Sequence, residues 1–119
     1  MIRAMLFIDW NAVPVLSLAP GVRTRTPHGE RIMLSLIEID EGAAVPPHSH
    51  PHEQAGYVLE GTLELTVGGD VRTLGAGDAY IVPGDAPHSA RSIGGRCRVL
   101  DVFSPVREDY AAAVNADAP

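Results

Sequence analysis

The chain is poor in cysteine. Cys97 is the sole one in 119 residues, so no internal disulfide can form and a reducing cytoplasm is the expected compartment. Aromatic residues are also few, with one Trp, three Tyr and two Phe. Basic residues are outnumbered, nine Lys plus Arg against fifteen Asp plus Glu, for a net charge of −6. With no basic stripe, nonspecific nucleic-acid binding is excluded as an expectation. There is no apolar run long enough to cross a bilayer and no charged-then-apolar leader pattern, so no membrane partner is expected. Internal repeats and low-complexity segments are missing too, and the length is that of one domain, expected over residues 1–119.

What is abundant is punctuation. Twelve glycines and ten prolines are scattered through the chain, which fits many short strands joined by tight turns. An all-β domain is therefore favoured. An apolar run at Ala4–Ile8 suggests an edge strand, and Val22–Thr26 alternates so that Arg23 and Arg25 share a face. Arg31–Asp40 reads as a central strand, and Tyr57–Val67 as one long strand that returns through Gly68-Gly69-Asp70. Ala79–Val82 reads as a short buried strand, and Gly94-Gly95 as a hairpin turn. In Arg96–Phe103 the alternation places Cys97, Val99, Asp101 and Phe103 on one face. Both faces of that strand are largely apolar, so Asp101 is expected to be partly buried, a costly position for a carboxylate without a partner or a task. Cys97 reads as a small buried apolar residue. Tyr57 and Tyr80 each read as pocket residue or core, with core favoured for Tyr80 and Tyr57 left open. Val106–Val114 is expected to form a short helical tail.

The chemistry concentrates in Gly42–Gly61, GAAVPPHSHPHEQAGYVLEG. His48 and His50 are two apart, which in an extended strand puts both imidazoles on one face, and Gln54 returns toward them after a short turn. Imidazole suits borderline divalent metals, and a neutral amide oxygen adds a donor without charge. His52, between Pro51 and Glu53, is expected in an exposed turn. His88 follows a Pro-bounded turn after Gly77–Val82 and could face the paired histidines across a barrel.

The pattern Gly42, His48, His50, Gln54, Gly61 resembles the first cupin motif, with Gln where Glu is more usual. Gly77, Pro83 and His88 resemble the second, with Asp85 in place of the usual glycine and Ser92 in place of a frequent asparagine. The resemblance implies a small jelly-roll (double-stranded β-helix) barrel. It implies one divalent transition metal (nickel, manganese, iron, zinc or copper) on His48, His50, Gln54 and His88. HSHPHEQAGYVLEG and LDVFSPVREDY further resemble the cupins of pectin and uronate degradation, which convert 4,5-unsaturated monouronates to linear keto acids. That likeness implies pocket roles for Asp101, Phe103 and Arg107, a small anionic sugar-acid substrate, no organic cofactor, and a homodimer through sheet edges. Arg23 and Arg25 are further candidates for a carboxylate fork at the cavity mouth. A hydroxynitrile lyase, a dioxygenase or a non-enzymatic sugar-binding cupin would use the same donors. Oxygen uptake separates the dioxygenase from the rest, and turnover separates enzyme from binder.

Overall fold

The computed structural model describes residues 6–117. A short 3-10 turn, Trp10–Ala12, precedes ten strands: β1 Leu16–Ala19, β2 Val22–Arg25, β3 Met33–Ile39, β4 Ala44–His48, β5 Glu53–Glu60, β6 Thr62–Val67, β7 Asp70–Gly75, β8 Ala79–Val82, β9 His88–Ser92 and β10 Cys97–Ser104. A helix, α1 Glu108–Asp117, follows. The strands form two antiparallel sheets, ordered β1-β2-β3-β10-β5-β8 and β4-β9-β6-β7. This is the expected all-β jelly roll with a helical tail.

Period-2 burial shows which face each strand turns inward. β3 and β10 both alternate buried with half-buried along their whole paired length. On β10 the inward row is Cys97, Val99, Asp101 and Phe103, as the alternation predicts. Cys97 and Val99 join Ile37, Val58, Leu63 and Leu65 in an apolar core drawn from both sheets. Farther along the same row, Asp101 and Phe103 line a cavity. The packed core thus supports one stretch of β10 while the polar site occupies the next.

Several sequence expectations are corrected. Tyr57–Val67 is not one strand. It breaks at Gly61, where β5 ends in the six-stranded sheet and β6 begins in the four-stranded one. Inward positions are even before the break (Gln54, Gly56, Val58) and odd after it (Leu63, Leu65). Gly61 makes the switch possible, because its φ of +85° belongs to the left-handed region. A Cβ there would also collide with the backbone carbonyl of Arg96. Gly61→Ala is therefore expected to cost about 2–4 kcal/mol, through positive φ plus overpacking. It should appear as a lower urea midpoint at unchanged m-value.

β8 is an edge strand with Ile81 exposed, so only Val82 of that segment is buried. Gly94-Gly95 joins β9 to β10 across the two sheets and is not a hairpin turn. Of the run expected as an N-terminal edge strand, Ala4 and Met5 lie outside the described residues, and Leu6–Ile8 are not in a strand. Strand β1 forms that sheet edge instead.

Candidate metal centre

Pro46 and Pro47 lie in β4, an edge strand, where the missing N–H groups are tolerated. A register irregularity between Val45 and His48 allows both to pair with β9 at a three-residue spacing. His48 stands directly opposite His88 in that ladder. His88 is therefore a neighbour within one sheet rather than a residue facing it across the barrel. His50 follows β4 in the loop, and Gln54 comes from β5 of the other sheet. The ligating atoms of His48, His50 and His88 lie within 4.8 Å of one another, so one ion could be held among them.

The turn before β9 props up this loop. Asp85 donates its backbone N–H to the His50 carbonyl at 2.7 Å, and a Cβ on Gly84 would sit 2.6 Å from the Pro51 carbonyl oxygen. Asp85 itself takes φ +67°, a conformation glycine adopts freely and Asp tolerates better than most residues. The departure from the second cupin motif thus keeps the backbone shape. Ser92, the other departure, donates its hydroxyl to the Asp40 carbonyl at 2.5 Å.

Tautomers follow from backbone partners. The Nδ1 of His48, His50 and His88 sits 2.8, 3.0 and 2.9 Å from the carbonyls of Pro46, His52 and Ala86. A carbonyl only accepts, so each Nδ1 carries the proton and each Nε2 keeps its lone pair. The Nε2 of His88 is buried with no partner. The Nε2 of His50 lies 3.1 Å from Gln54 Oε1, so two acceptors face each other, an arrangement a shared cation would relieve. Burial, helped by the positive charge of Arg107, pushes His50 down to about 4; burial also lowers His88. Both are then neutral near pH 7, as metal ligation requires. The donor set fits a divalent transition ion.

Asp101 is 3% exposed and lines the same cavity as His48, Gln54 and His88. Burial raises its carboxyl to about 6, opposed by hydrogen bonds from Tyr80 and Gln54 and by Arg107. Phe103 is buried with its ring 5.6 Å from that of His50. Arg107 is buried too, held by two hydrogen bonds to Asp109 (2.7 and 3.3 Å) and stacked 3.8 Å above the Tyr110 ring.

Other residues are placed differently from the sequence reading. Arg23 is paired with Glu38 and Asp40 at 3.0 and 3.1 Å, and with Arg25 it borders a separate hollow beside Leu36, not the cavity mouth. His52 is buried rather than exposed, and Glu108 at the start of α1 accepts from its Nε2 at 3.1 Å. Tyr57 is half exposed on the outer face. Tyr80 and Tyr110 both line the cavity; sequence reasoning favoured core over pocket for Tyr80 and gave Tyr110 no site role. For Tyr110 the signal was its place in VREDY, three residues beyond Arg107. Tyr80 had no local signal.

Two facing antiparallel sheets with a histidine cluster between them define a jelly-roll barrel of the cupin kind. Residues 35–103 match the cupin domain model, and the chain belongs to that family. It is 31% identical over 106 residues to the pectin degradation protein KdgF of Dickeya dadantii (strain 3937), covering 87% of this chain and 96% of that protein. The solved structure of KdgF from Halomonas superposes with a TM-score of 0.80 at 32% identity, over 87% of this chain and 98% of that one. An RmlC-like cupin from Shewanella frigidimarina NCIMB 400 gives 0.83 at 30% identity, over 92% and 99%.

Proposed function

We propose that this chain is a metal-dependent isomerase that opens 4,5-unsaturated monouronates to linear keto acids in the breakdown of pectin or related polyuronates. The observation that carries this reading is a buried carboxyl, Asp101, in one cavity with His48 and His88, two of three histidines that converge on one point. The near full-length likeness to a pectin degradation protein supports it.

His48, His50, Gln54 and His88 would hold one divalent transition ion. When bound, that ion supplies Lewis-acid stabilisation of negative charge on substrate oxygen. Asp101 takes the proton of the anomeric hydroxyl as the bond from C1 to the ring oxygen breaks, which leaves an aldehyde at C1 and an enolate at C5. Asp101 then delivers the same proton to C4, and the enolate becomes a ketone. The proton removed is the proton returned, so the reaction is an isomerisation needing no oxidant and no organic cofactor. Phe103 packs against the sugar, and Arg107, lying beside Phe103, pairs with the substrate carboxylate. One domain over residues 1–119, a homodimer and a cytoplasmic location belong to the same proposal.

The test is direct. Metal-loaded protein is mixed with freshly made 4,5-unsaturated galacturonate, and the ultraviolet absorbance of the conjugated double bond is followed. The expected result is loss faster than the spontaneous rate, stopped by chelation. No acceleration at full metal occupancy would sink the uronate reading.

A further inference from the structure

Strands β8, β5 and β10 are consecutive in the six-stranded sheet, and Tyr80, Gly56 and Asp101 lie in one row across them. Side chains two strands apart stand nearly 10 Å from each other, normally with a third between them. Here the middle residue has no side chain. The Tyr80 ring crosses the gap and its hydroxyl donates to Asp101 Oδ1 at 2.5 Å. A Cβ on Gly56 would overlap the ring and the hydroxyl of Tyr80. Gly56 is not among the glycines with positive φ, so its backbone does not itself demand glycine. What excludes a side chain there is the tyrosine.

We propose that Tyr80, let through by Gly56, is a positioning residue that fixes the Asp101 carboxylate by one oxygen and presents the other, Oδ2, to the reacting carbons. This rests on the uronate reading and adds to it the group that aims its proton carrier. Gln54 also donates to this carboxylate, but Gln54 is itself one of the proposed metal donors, so the Tyr80 bond is the one that ties Asp101 to the sheet independently of the metal. A carboxylate without it could rotate about its last bond and spread over orientations that do not reach both the anomeric hydroxyl and C4, and one short hydrogen bond to Oδ1 narrows that freedom.

The experiment compares wild type, Tyr80→Phe and Gly56→Ala, all metal-loaded, on 4,5-unsaturated galacturonate, with metal content and circular dichroism recorded for each. Tyr80→Phe is expected to lower kcat about 10–100-fold, the penalty of mispositioning, with KM within about twofold and metal content unchanged. Gly56→Ala keeps both functional groups but pushes the ring aside, and should show the same split. A merely structural role would instead reduce folded, metal-bound protein and scale kcat with it. Should Tyr80→Phe fold poorly, Gly56→Ala decides by the same readout. Wild-type turnover with kcat of the folded variants within twofold of it would overturn the positioning role alone. Absence of wild-type turnover would overturn the uronate reading and this role with it.

Discussion

Asp101→Asn should remove turnover of the unsaturated uronate by about a thousandfold, within the usual range for losing a general base. The substitution preserves shape, and the amide oxygen can still accept from the Tyr80 hydroxyl, so the site should stay assembled. Asp101 is not among the four proposed donors, so metal content should match the parent. Turnover that survives at parental metal content would show that Asp101 carries no proton. The same variant has a second signature in the metal-free protein. Burial raises the folded-state carboxyl from its ordinary 3.8 to about 6. A raised carboxyl contributes its full stability below pH ~4 and loses it as pH climbs through about 6. Over that window the loss is about 3 kcal/mol. Asn cannot ionise, so metal-free Asp101→Asn should match the parent at pH 4 and exceed it at pH 8. Urea titrations at the two values measure this directly.

Metal removal should produce the other large effect. Ion bound at about a thousand times its dissociation constant stabilises the folded chain by about 4 kcal/mol. For a domain of this size that corresponds to a Tm shift of about 10–20 °C. Chelation should reverse the shift and abolish turnover together. His50→Ala should make the Tm insensitive to added metal, because His50 is the buried link between β4 and β5. His52→Ala is the informative control. It removes the contact to Glu108 but leaves the His52 backbone carbonyl that faces His50 Nδ1, so metal content should persist. Equal metal loss in both variants would move the site away from the proposed donors.

Much of this was legible in the sequence because it is local or periodic. The inward row of β10 follows from alternation within one strand, and His48 and His50 are neighbours in the chain. What was not legible depends on register between strands and on tertiary cover. Alternation cannot reveal a phase change at a glycine, so Tyr57–Val67 read as one strand although Gly61 hands the chain to another sheet. For Arg23 and Arg25 it gave a shared face but not which face, and the acids on β3 and the loop after it settled the matter for Arg23. His52 looked exposed because nothing nearby in sequence announces that Glu108, 56 residues on at the start of α1, meets its ring. Tyr80 and Asp101 are 21 residues apart and meet only because β5 lies between their strands.

The gap at Gly56 also constrains how this chain can change over generations. Positions 56 and 80 cannot be altered in arbitrary order. While Tyr80 is in place, any side chain at 56 meets its ring, so even alanine there is a damaged intermediate. Once position 80 has become small, position 56 is free to take a side chain, and the return of tyrosine is then blocked. The two sites form a one-way pair: relatives that retain the tyrosine should retain the glycine, while those that lost the tyrosine should vary at both.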